Sequence, residues 1–219
     1  MGKFIVIEGL DGSGKSTQGQ MLREYFEKIG KKARILSFPC YNTPGCTLVE
    51  MYLSGQLGEK ANDTNGYAAS MLFASDRYVS YVTDWKKDYL DPDTVLIATR
   101  YTTSNAYHQL SKTDESEWEA FLSWLCDFEF NKLGLPEPDK VIFLEMPQSF
   151  SSKRVEDRCN ETGATKDIHE KDAEYLRRCY DAAMYTADRL GWHVINCAPN
   201  GAQKSKEEIS QIIIDIINS

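Results

Sequence analysis

Short apolar runs recur along the chain at 4–7, 34–38, 94–98, 140–144 and 193–196, each rich in Val, Ile or Leu and too short for a helix. They read as strands buried on both faces, since a half-exposed strand would alternate polar with apolar positions. Between them the period changes. Met21, Leu22, Tyr25, Phe26 and Ile29 share one helical face and stop at Gly30, a residue suited to the left-handed helix end. Further helical patterns cover about 63–88, 114–133, 150–158, 171–190 and 204–217. Alternating strands and helices predict an α/β protein: a parallel five-stranded sheet with helices on both faces. The stretch 160–169 is polar and without period, which suits a surface loop or small lid.

At 219 residues the chain is read as a single domain over 1–219, with the lid at about 153–170. Charge narrows the partners. Twenty-five Lys+Arg against 33 Asp+Glu give a formal charge of −8, so no nucleic acid and no membrane surface is expected to bind. Any bound anion must meet a local cluster of cations. The six cysteines form no CxxC pair and accompany only three histidines, a pattern of reduced thiols rather than a metal framework. The first apolar run ends after four residues at Glu8, and no stretch reaches the eighteen or so a membrane span needs, so the expected location is cytoplasmic.

Directly after the first run stands Gly9-Leu10-Asp11-Gly12-Ser13-Gly14-Lys15-Ser16, the pattern G-x4-G-K-[ST] between a strand and a helix. Glycines let backbone N–H groups turn inward around a phosphate, and the helix N-terminus adds partial positive charge. Lys15 is expected on the β- and γ-phosphates and the Ser16 hydroxyl on Mg²⁺. The fold class becomes a three-layer P-loop NTPase fold binding a nucleoside triphosphate. Asn131-Lys132-Leu133-Gly134 lacks the aspartate that reads guanine in GTPases, which leaves a small phosphotransferase.

Four blocks in order then resemble the thymidylate kinase family across nearly the whole length. Glu8–Gln18 resembles the family's E-G-x-[DE]-x-x-G-K-[ST]-T-Q, Phe38-Pro39 its F-P, Leu72–Arg77 its [LF]-F-x-A-[DN]-R, and Thr99–Gln109 its D-R-[YH]-x-x-S-x-x-x-[YF]-Q. The resemblance implies that Gly9, Asp11, Gly12, Ser13, Gly14, Lys15, Ser16 and Thr17 form the ATP cradle, with the Asp11 carboxylate facing the acceptor's 3′-hydroxyl. It also implies that Phe73 stacks on thymine, Arg77 donates to its O4, Arg100 holds the acceptor phosphate, and Ser104 and Gln109 touch the pyrimidine. Read without the resemblance, Phe73 is equally a core aromatic, and Phe38 equally packs a strand end. Asp76 is expected to steady the neighbourhood.

Three positions depart from the family. Tyr41 stands near the place of an arginine, Thr99 replaces an aspartate, and His108 replaces the aromatic beside C2′. Because Gly12 leaves the P-loop without an arginine, the resemblance assigns Arg158 to the transferring phosphoryl group and Arg154 to the ATP base; a solvated charged helix is the alternative for both. The expected reaction is ATP- and Mg²⁺-dependent phosphorylation of dTMP to dTDP by a homodimer, with Lys15, Arg100 and Arg158 as catalytic residues. Two alternatives stay open: a P-loop kinase with another deoxynucleotide or deoxynucleoside acceptor, and a catalytically weak nucleotide-binding protein.

Overall fold

The computed structural model describes residues 2–147, 150 and 173–219. Strands β1 (Lys3–Glu8), β2 (Lys32–Ser37), β3 (Thr94–Thr99), β4 (Lys140–Glu145) and β5 (His193–Asn196) form one sheet in the order β2-β3-β1-β4-β5. Every pairing is parallel, with Ile7 opposite Thr99 and Glu8 opposite Phe143. Each expected strand is present, and its ends move by two residues at most.

Alternation along β1 divides the core. Ile5 and Ile7 face Leu22 and Phe26 of α1 (Lys15–Lys28) and Ile209 and Ile213 of the C-terminal helix (Lys206–Asn218). Phe4 and Val6 face the other way, against Trp85, Leu96 and Tyr101. Each fully buried side chain of this kind contributes roughly 1.5–3 kcal/mol, so the central strand is held from both faces. Gly19 lets α1 settle on the sheet: a Cβ there would stand 3.0 Å from Thr99 Cγ2.

The helical stretches are more broken than the periodicity suggests. The stretch expected over 63–88 is α3 (Gly66–Ser80), a π turn over Tyr81–Trp85 and α4 (Lys86–Leu90). That expected over 114–133 is α6 (Trp118–Cys126) followed by a second π turn, Asp127–Lys132. Two helices lack a signal in the apolar pattern. One is α2 (Thr47–Leu53); the other is α5 (Thr102–His108), whose buried face includes Thr102, Thr103, Asn105 and His108. Helix α7 (Ala173–Leu190) follows, and the C-terminal helix is α8. The lid, Arg154 and Arg158 lie outside the described residues. The five described cysteines are free thiols, as their spacing suggests.

One packing detail makes stability depend on pH. Lys112 donates from Nζ to Tyr52 Oη at 2.6 Å and to the Thr64 carbonyl at 3.2 Å, and burial pushes its pKa down to about 7. The unfolded chain would bind this proton up to the ordinary lysine value of 10.5, so between about 7 and 10.5 the unfolded state holds more protons. Stability from this site therefore rises with pH across that window, is lost as pH falls towards 7, and is flat below it. Thermal midpoints between pH 7 and 9.5 are expected to climb less steeply in Lys112→Met than in the parent; parallel profiles would remove Lys112 from this account.

Candidate active site

The site forms at the carboxyl ends of β1, β2 and β3, where an open α/β sheet offers a crevice. Gly9, Gly12 and Gly14 all take positive φ (147°, 77° and 99°), which turns the loop around the start of α1. A Cβ on Gly9 would meet Ser13 Oγ at 2.5 Å and the Leu144 carbonyl at 2.8 Å, so no side chain fits there. Lys15 Nζ donates to the carbonyls of Gly9 (2.7 Å) and Leu10 (3.0 Å), placing its charge inside the loop. Ser16 and Thr17 are exposed on the first turn of α1.

A cleft of about 590 Å³ opens over this loop, lined by residues 11–18, Ser37, Phe38, Thr99 and Arg100. Its far wall is Gln203, Lys204, Lys206 and Ile209. These polar residues were missed in the sequence, where the only available signal was two lysines just after the last strand. Gln18 Nε2 ties the wall to α1 through the Lys206 carbonyl at 2.9 Å.

Arg100 directs the chemistry. It follows β3 with φ +70°, and its Nη2 donates to Asp11 Oδ1 across the mouth of the loop. Burial alone would raise the Asp11 pKa, but Arg100 and Lys15 overcome it and hold the carboxyl well below the ordinary range. Burial would likewise lower Arg100, and Asp11 more than offsets it, so the guanidinium stays charged.

His108 is buried beneath Arg100, 3.1 Å from Nη1 to Nε2. Its other ring nitrogen, Nδ1, lies 3.4 Å from both Tyr175 Oη and Cys179 Sγ. His108 does not line the cleft. It braces Arg100, the residue that pairs with Asp11 at the mouth of the loop.

Ser104 sits on the same helix, one turn earlier. Its hydroxyl donates to both oxygens of Glu8 (2.8 and 3.0 Å), which is fully buried at the end of β1. Glu8 also accepts from Tyr101 N (3.1 Å), Thr103 Oγ1 (2.6 Å) and Tyr107 Oη (2.9 Å). Glu8 thus ties α5 to the P-loop strand, with the Ser104 hydroxyl among the groups that hold it.

The residues expected on the base do not line this cleft. Phe73 is half-buried, edge-on to Tyr52 at 5.9 Å. Arg77 is buried and pairs with Glu129, a residue that sequence reasoning missed. Asp76 accepts from the Cys40 amide at 2.9 Å, as a steadying residue should, while Gln109 is buried with no partner for Oε1 among the described residues. Tyr41 is exposed, and Thr99 is buried at the cleft edge, 3.5 Å from the Ser37 hydroxyl. Phe38 both lines the cleft and packs on Trp85, so its two readings coexist.

A phosphate loop closed around a lysine, with a charged arginine facing it from the neighbouring strand end, defines a P-loop phosphotransferase. The family model for thymidylate kinase matches residues 7–211. The thymidylate kinase of Mycobacterium tuberculosis (strain H37Rv) is 32% identical over 179 residues, covering 80% of this chain and 81% of that one. A probable thymidylate kinase of Thermococcus gammatolerans is 29% identical, covering 99% and 96%. The thymidylate kinase structure from Candida albicans superposes with a TM-score of 0.71 at 21% identity, covering 99% and 91%, and so shares the fold. The chain belongs to the thymidylate kinase family and is a nucleoside monophosphate kinase.

Proposed function

We propose that this protein transfers the γ-phosphoryl group of ATP to dTMP, giving dTDP, with the P-loop holding the donor and Arg100 the acceptor phosphate. The Asp11–Arg100 pair at the mouth of the loop carries this reading, because it sets an anion-binding guanidinium beside a carboxylate able to accept from a sugar hydroxyl. The acceptor phosphate is already ionised at neutral pH, so alignment and charge neutralisation suffice and no strong base is needed.

The donor site fits a magnesium-bound triphosphate. Ser13 Oγ is buried in the loop without a partner among the described residues, and Ser16 and Thr17 are exposed at the start of α1. No group of three or more His, Cys, Asp or Glu among the described residues could hold a metal. Mg²⁺ would rest on phosphate oxygens and Ser16, with Thr99 adding no charge. When bound, the ion neutralises phosphate charge. Arg154 and Arg158 keep their proposed roles on the ATP base and the transferring group, as do Phe73, Arg77 and Gln109 on the base.

A homodimer is proposed from the outer face of α3. Tyr67, Met71, Tyr78 and Val79 lie exposed along it, with Val82 on the following π turn and Leu48 on α2, an apolar stripe of the kind a second copy covers.

The test is ADP release with ATP and Mg²⁺ against dTMP, dUMP, UMP, dCMP, dGMP and thymidine. The highest kcat/KM is expected for dTMP. Release that no nucleoside monophosphate stimulates would overturn the reading.

A further inference from the structure

We propose that Glu129 is a specificity-determining positioning residue, which makes the edge facing position 4 of the pyrimidine a donor and so selects a carbonyl there over an amino group. This rests on the reading that Arg77 meets the base. Arg77 is 2% exposed and Glu129 0%, and the two meet side-on: Nε to Oε2 at 2.7 Å and Nη2 to Oε1 at 2.5 Å. That geometry uses two of the three guanidinium nitrogens and leaves Nη1 outside the pair. The plane of the fork is further confined by the Tyr101 ring, whose centroid lies 6.0 Å from Arg77 Cζ.

The carboxylate is saturated as well. Oε2 also accepts from Thr102 Oγ1 at 2.7 Å, and Oε1 from Asn105 Nδ2 at 3.1 Å. Each oxygen takes two donors, which fills its lone pairs. Asn105 Nδ2 also reaches the Ser70 carbonyl at 3.3 Å, so the same network binds α5 to α3. A loosely held glutamate here would itself offer an acceptor, and an exocyclic amine would welcome it. Held by four donors, Glu129 presents none, and only arginine N–H groups remain for the base.

The backbone supports a purpose beyond packing. Glu129 lies in the π turn Asp127–Lys132, and the Leu133 amide reaches back to the Phe128 carbonyl at 2.9 Å. One extra residue in a helical turn re-aims the side chains around it, and such turns concentrate at functional sites. A buried ion pair is itself weak grounds for a stability role, because its desolvation offsets its attraction.

The experiment compares kcat/KM for dTMP and dCMP in the parent, Arg77→Met, Glu129→Gln, Thr102→Val and the Arg77→Met/Glu129→Gln double variant. Glu129→Gln is expected to lower the dTMP/dCMP ratio by about tenfold or more, chiefly by raising KM for dTMP, with kcat within about threefold. Thr102→Val, which keeps the ion pair and removes one donor, shifts the ratio the same way by about two- to fivefold. The double variant matches Arg77→Met, since Glu129 acts through that arginine. A parent-like ratio in Glu129→Gln with a lowered thermal midpoint would make the pair a structural brace and overturn the proposal. If Glu129→Gln does not fold, a parent-like ratio in Thr102→Val does the same. An unchanged ratio in Arg77→Met would show instead that the base is read elsewhere, and both readings would fall.

Discussion

Replacing Arg100 with methionine is expected to lower kcat/KM for dTMP by about 10³-fold, measured as ADP release at saturating ATP. Methionine keeps much of the side chain's length and removes its charge, so the loss reports the guanidinium. Part should appear in KM, because the acceptor phosphate loses its main cation in the described site. The rest should appear in kcat, because Asp11 then lacks the partner that orients it and the transferring group lacks a neighbouring positive charge. A loss below about tenfold, with KM unchanged, would place the acceptor phosphate elsewhere. Lys15→Ala should abolish turnover too, but that result would hold for any P-loop enzyme.

Glu8→Ala is expected to destabilise the protein by about 3–5 kcal/mol, because it removes the shared acceptor of several buried donors. Three groups would lose their acceptor, the Tyr101 amide and the hydroxyls of Thr103 and Ser104, while Tyr107 Oη keeps the Gly9 carbonyl at 3.2 Å. Each donor left buried without a partner costs roughly 1–3 kcal/mol, with overlap because neighbours relax together. For a chain of this size the midpoint should fall by about 10 °C, at roughly 2–4 °C per kcal/mol. Urea unfolding and thermal scans decide it. A parent-like midpoint would show that these donors find other acceptors and would overturn the anchoring role.

The sheet and the phosphate loop were legible because their signals are local. A strand buried on both faces is a continuous apolar run, and the P-loop needs its glycines, lysine and serine within eight positions. Helix α5 was not legible, because Thr102, Thr103 and Asn105 look like loop residues until Glu8 and Glu129 supply partners far away in sequence. Glu129 was hidden for a related reason: the π turn breaks the 3.6-residue period that would mark it as inward-facing. Residue order pointed to Ser104 and His108, but only the assembled fold reveals that one is engaged by Glu8 and the other by Arg100.

The backbone at Arg100 limits how far this protein can be improved by stability alone. At φ +70° the residue sits in the left-handed region, which glycine and asparagine tolerate and longer side chains resist. A screen for heat resistance would therefore be drawn to Gly or Asn at position 100, and the winners would be sturdier proteins without the acceptor-site guanidinium. Conformation and chemistry ask for different amino acids at this one place, so a library ranked on folding and one ranked on turnover should disagree there most sharply.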